Sequence, residues 1–295
     1  MKGKKLYGGL LLSVGLMTAL VSGCTERDLL DRPSDGPLKV NIDWPEGADG
    51  QTVDVTGATI YLYGSDGQLF KVFNTSAEGM QERIPAGTYT VLVINSDNEH
   101  ADCHDESSSS SCCVDADETE VAGILENVDR VYCTGMTGVT VNPGNAVTEI
   151  TLQPVNVVKT ITFNVDPNYL DGIASITLNM TGVVPGVHVM NGTYTSDPTG
   201  AVEADVTENP DGTYTATMTV FGWEGTNEVT AHVTYADGTP DDITIPIDIT
   251  DELADLPDEG GSIDIVLELE NGGEIRLTVT VAAWDDTGTG GGIVM

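Results

Sequence analysis

Pro85-Ala86-Gly87-Thr88-Tyr89-Thr90-Val91-Leu92-Val93-Ile94 decides the class of fold. Residues 85–88 read as a turn, because proline presets φ and glycine accepts backbone conformations that other residues resist. The turn launches residues 89–94, a run apolar enough for a central strand covered on both faces. Working outward, Leu38, Val40 and Ile42 alternate with Lys39, Asn41 and Asp43, the period of a strand with one wet face. Residues 58–63 and 69–73 flank Asp66-Gly67, a hairpin signal whose central residues must accept positive φ. The same device recurs at Asp211-Gly212, Asp237-Gly238 and, as Asn-Gly, at Asn271-Gly272. Residues 147–152 close a first domain.

The second half repeats this style without repeating the sequence. Strands are expected over 160–165, 173–180, 213–221, 227–235, 243–249, 263–269 and 275–281. Val229, Ala231, Val233 and Tyr235 again alternate. Only 119–127 and 250–256 offer a helical turn or two. Short strands with turn signals between them suit sandwiches rather than βαβ units. The expectation is an all-β chain of two tandem Greek-key β-sandwich domains, 38–155 and 156–284. They join near Gln153-Pro154-Val155-Asn156, and a Gly-rich tail fills 285–295.

The charge balance removes whole classes of function. The 295 residues carry 11 basic and 47 acidic side chains, a formal charge of -36. Such a chain repels phosphate backbones and anionic lipid surfaces, so no nucleic-acid partner is expected. It is not a disordered chain either, since 40% of residues are hydrophobic and fall in regular short runs. Aromatics are scarce at 5% and glycines number 34, which favours strands and tight turns.

The first residues read as an address. Lys2, Lys4 and Lys5 precede an apolar stretch over 6–21, too short and too interrupted to span a bilayer. Leu20-Val21-Ser22-Gly23-Cys24 then forms a lipobox. Residues 1–23 are expected to be a lipoprotein signal peptide and Cys24 the lipidated residue. The acyl chains would anchor the protein to the outer membrane by burying methylenes. Residues 24–37 read as a flexible tether, in which Glu26, Asp28 and Asp31 resemble acidic surface-export signals.

A polar insertion over 96–130 interrupts the pattern with Cys103, Cys112, Cys113 and a serine run over 107–111; Cys133 follows it. An even set of four cysteines outside the cytoplasm points to disulfides, with three pairings open and adjacent Cys112 and Cys113 going to different partners. The insertion is expected to be a mobile surface loop stapled by them. A metal site from Cys103, His104, Cys112 and Cys113 matches no zinc spacing, and 115–118 lacks the turn and distal acid of a calcium loop. No metal or cofactor is expected. His100, His104, His188 and His232 stand in no catalytic motif, and no Gly-x-Ser-x-Gly or His-Glu-x-x-His occurs. Trp44, Trp223 and Trp284 sit at strand ends, where aromatics seal core rims more often than they stack sugars. An enzyme is not expected.

The lipobox, the acidic tether, Asn41-Ile42-Asp43-Trp44, Ile84 through Asn95, Leu152-Gln153-Pro154-Val155, Val220-Phe221-Gly222 and Val281-Ala282-Ala283-Trp284 together resemble a Bacteroidales lipoprotein family related to the FimB type of anchoring fimbrial subunit. That resemblance implies two transthyretin-like sandwiches and a structural role in a fimbria-like assembly, with fimbrial subunits as partners through strand addition. Residues 274–284 would be the natural strand to exchange with a neighbour, unless they complete the second sandwich internally. The Cys-rich insertion departs from the family pattern. The rival reading is a surface glycan-binding lipoprotein of a polysaccharide-uptake system, and the scarcity of aromatics counts against it.

Overall fold

The first half is built from β1 (Asp35–Ile42), β2 (Gly57–Tyr63), β3 (Leu69–Ser76), β4 (Gly79–Pro85) and β5 (Gly87–Asn95). The chain then runs through β6 (Ala101–His104), β7 (Cys113–Ala116) and β8 (Ile124–Leu125) before β9 (Tyr132–Val141), β10 (Thr148–Leu152) and β11 (Val155–Asn156). The second half holds β12 (Lys159–Asp166), β13 (Ile173–Val183), β14 (Gly186–His188), β15 (Gly200–Asp205), β16 (Thr207–Glu208), β17 (Tyr214–Val220), β18 (Glu228–Tyr235), β19 (Pro240–Asp248), α1 (Thr250–Ala254), β20 (Gly260–Leu269) and β21 (Ile275–Val281). This computed structural model describes residues 34–46, 52–166, 173–195, 200–237, 240–258, 260–269 and 275–281. The signal peptide, Cys24, Trp284 and the Gly-rich tail lie outside the described residues.

Two sandwiches emerge, and their topologies coincide. The first pairs sheet β10-β1-β4 with sheet β11-β9-β5-β2-β3; the second pairs β16-β17-β12-β20-β21 with β19-β18-β13-β15-β8. Numbered within each half, the core strands run 7-1-4 over 6-5-2-3 in both. In each, the first core strand lies parallel to the seventh: Leu38 faces Thr148 and Thr160 faces Gly260. The halves therefore share an architecture that their sequences do not reveal, because the pattern needs only apolar alternation and turns.

The hairpin signal at Asp66-Gly67 acts through one residue. Gly67 adopts φ 76° while Asp66 stays on the ordinary side. Asp66 contributes its carboxylate instead, which accepts from the Gln68 amide at 3.1 Å. β1 starts at Asp35, inside the expected tether, because Arg83 of β4 grips the Asp35 carboxylate at 2.8 Å. The short helix α1 falls within 250–256 as expected, whereas 119–127 holds strand β8 instead of a helical turn.

Candidate functional site

The expectation of a mobile insertion over 96–130 is overturned. The segment alone cannot bury enough apolar surface to fold, but it borrows surface from both sandwiches. β2 and β5 are apolar on both faces. Ile60, Leu62, Val91 and Val93 fill the first core, while Tyr61, Tyr63, Leu92 and Ile94 face outward into a second cluster. Ala101, Cys112 and Val114 of the insertion pack on that outer face together with Val187, Val189 and Phe221 of the second half.

Backbone pairing then carries the insertion across the junction. β7 pairs antiparallel with β14, Val114 opposite Val187. β8 pairs parallel with β15 at the edge of the second sandwich, and Leu125 enters that sandwich's own core. The Val128 amide donates to Thr219 O, and the Asn127 side chain bonds both Thr219 N and Glu203 O. Buried Asn95 fastens the two ends: its Nδ2 donates to Arg130 O at 3.0 Å and its Oδ1 accepts from Tyr132 N at 2.7 Å. The insertion is a clamp. The missed signal was the second apolar face of residues 58–63, which lies beside the doubly covered run 89–94 and which a one-faced sheet would not need.

The cysteines come together in this seam, but as thiols. Cys103, Cys112, Cys113 and Cys133 stand as free thiols in this structure. Cys103, Cys112 and Cys133 share the seam cluster with Tyr61 and Tyr63. Burial pushes the Cys103 thiol up to about 11 and that of Cys133 up to about 12, and it raises Cys112 too. Cys113 is separate. Its Sγ lies 3.8 Å from His104 O and 3.6 Å from Asp115 Oδ2, and burial with that carboxylate pushes it up to about 12. Of the residues in the metal alternative, His104 is exposed. Among the described residues no group of three potential ligands is arranged to hold a metal ion.

The seam opens on one side into a cleft of about 920 Å³. Val155, Val157, Tyr194 and Phe221 contribute apolar wall, with Lys159 and Glu224 at its polar side. The sandwiches approach closely nearby: a Cβ on Gly135 of β9 would lie 2.5 Å from the Met190 sulfur. Lys159 Nζ sits 4.8 Å from the Trp223 ring centroid, a cation–π contact that occupies that face. Trp44 is buried, its Nε1 donating to Ala77 O at 2.8 Å and its ring edge-on to Tyr132 at 6.2 Å. His100, His104 and His232 are exposed, while His188 Nδ1 is buried without a hydrogen-bond partner. The terminal strand β21 pairs with β20 of its own chain, Val279 opposite Ile265, so it completes the second sandwich internally.

A family model with the description "Domain of unknown function (DUF5119)" matches residues 23–203. The chain belongs to that family. It is 23% identical over 183 residues to "Putative fimbrium anchoring subunit Fim4B" of Bacteroides ovatus, a match covering 60% of this chain and 54% of that relative. The matched region is thus about half the length of the curated relative. The fold resembles a solved structure called a "putative adhesin" from Bacteroides ovatus, with a TM-score of 0.63 at 19% identity, covering 87% of this chain and 97% of that one. It also resembles the fimbrial anchor protein Mfa2 from Porphyromonas gingivalis, with a TM-score of 0.54 at 13% identity, covering 84% of this chain and 98% of that one. The two structural likenesses extend across both sandwiches, so this chain and the two solved structures share the tandem architecture.

Proposed function

We propose that the protein is a non-enzymatic structural subunit of a fimbria-like assembly at the cell surface, an anchor or minor subunit held in the outer membrane by lipid on Cys24. The observation that carries this reading is the sequence match to a relative named as a fimbrium anchoring subunit. The shared two-sandwich architecture with a fimbrial anchor supports it. So does the lipobox at Leu20-Val21-Ser22-Gly23-Cys24, which would place the first sandwich next to the membrane. Sheet edges suit the task, because a partner strand gains main-chain hydrogen bonds along an open edge and specificity from alternate side chains. The glycan-binding alternative draws no support from Trp44, which is sealed into the core.

Two measurements test the proposal. Purification of the full chain from its own membranes should bring fimbrial subunits with it in detergent, and their absence under mild crosslinking would remove the assembly reading. Cys24→Ala should shift the protein from the membrane fraction to the soluble one. Continued detergent-dependent fractionation of that variant would show that the anchor lies elsewhere.

A further inference from the structure

The ladder between β6 and β7 sets Cys103 opposite Val114 and His104 opposite Cys113. Cys112 immediately precedes β7 and lies with Val114 and Cys103 in the seam cluster, where the two thiols are close enough to interact electrostatically. Cys113 points to the other face, towards Asp115. Cys133 reaches the same apolar cluster from β9, where it is 1% exposed and flanked in register by Ile94 and Val155. Of the three clustered thiols only Cys103 keeps intermediate exposure; Cys112 and Cys133 are buried. An oxidant therefore has one point of entry, and the thiol beside it, just ahead of β7, is Cys112.

We propose that Cys103 and Cys112 form a single disulfide in the mature protein, while Cys113 and Cys133 remain thiols. The oxidant is a disulfide of the glutathione or dithiol-oxidase class. The Cys103 thiolate attacks one of its sulfurs and expels the other as a thiolate, leaving a mixed disulfide. The Cys112 thiolate then attacks the Cys103 sulfur and expels the second thiolate. Two electrons pass to the oxidant, and its two sulfurs take up the two protons that the cysteines lost. Burial makes thiolate scarce in the folded seam, so the step is slow and begins at Cys103, the clustered thiol with access.

The bond has a structural consequence. It closes the loop over 103–112, which carries the serine run onto the β2–β3 hairpin, where Leu69 N donates to Ser107 O at 3.0 Å and Ser109 N to Gly67 O at 3.1 Å. A staple there holds one end of the clamp on the first sandwich while β7 and β8 grip the second.

Refolding the full chain carrying Cys24→Ala in a mixture of reduced and oxidised glutathione tests this, with free thiols alkylated before and after reduction and each of the four remaining cysteines followed by peptide mass spectrometry. The expected result is a linked Cys103–Cys112 peptide, with Cys113 and Cys133 labelled on denaturation without reductant. Cys113→Ser should leave that linkage intact. Labelling of all four cysteines without reductant, or a linkage that includes Cys113 or Cys133, would overturn the proposal. The map needs none of the four cysteines replaced. It also involves no fimbrial partner, so its failure would leave the assembly reading untouched.

Discussion

Trp44 joins two kinds of stabilisation in one side chain, a large buried ring and a satisfied indole N–H to Ala77 O. Trp44→Ala should cost about 3–5 kcal/mol through the cavity it leaves. Trp44→Phe keeps most of the ring and loses chiefly the hydrogen bond, at about 1 kcal/mol. Urea titration of both variants measures the difference, and equal losses would mean that the ring contributes little. The seam thiols predict a pH effect under reducing conditions. A folded thiol whose pKa stands above its unfolded value holds its proton more tightly than the unfolded chain does. Its stabilisation is complete below the unfolded value of about 8.5. It is then lost as pH rises towards about 12, where Cys133 and Cys113 ionise in the fold. Burial raises Tyr61 and Tyr63 in the same sense. Urea midpoints should therefore hold steady from neutrality to the onset of thiol ionisation and fall beyond it. A midpoint that is flat or rises through that window would contradict the burial of these groups.

At the scale of elements, β8 is the smallest piece with the largest reach. Two residues pair with β15, and Leu125 fills the core of a sandwich whose other strands all come from the second half of the chain. Leu125→Ala should cost about 2–5 kcal/mol, as for other buried leucines. The loss should fall on the second sandwich and appear as faster amide exchange along β15. Exchange confined to 96–130 would instead mean that β8 is only draped on the surface. Nothing local in Ile124-Leu125 announces this role, since a two-residue strand has no period to read. The central strands were legible because Tyr89 through Ile94 is apolar throughout, and the hairpin at Gly67 because one glycine carries the positive φ. The thiol cluster was half legible. The count of cysteines pointed to chemistry, but only the β6–β7 register separates Cys113 from Cys103 and Cys112.

For the molecule as a whole, the decisive feature is that no clean cut separates the two sandwiches. The seam cluster takes residues from the first sandwich, the insertion and the second sandwich, from Tyr61 to Phe221. Strand pairing crosses the junction twice, at β7–β14 and at β8–β15. A boundary placed in sequence near 155 assigns to the first half a clamp that both sandwiches share. Tandem domains joined only by a linker unfold independently, whereas domains with a common apolar core lose that core together and couple their transitions. The prediction is one cooperative unfolding event. Amides of β5 report on the first sandwich and amides of β18 on the second, so residue-resolved hydrogen exchange along a urea series reads both in one chain without altering a tryptophan. The two reporters should give the same urea midpoint. Val114→Asp buries an unpaired charge at the centre of the seam and should split them, because β7 can no longer dock there while β8 still delivers Leu125 to the second core. Separate midpoints in the unaltered seam would mean that the domains are merely adjacent. A single event would mean that neither sandwich opens without the other, the property that the proposed place between membrane and fibre calls for.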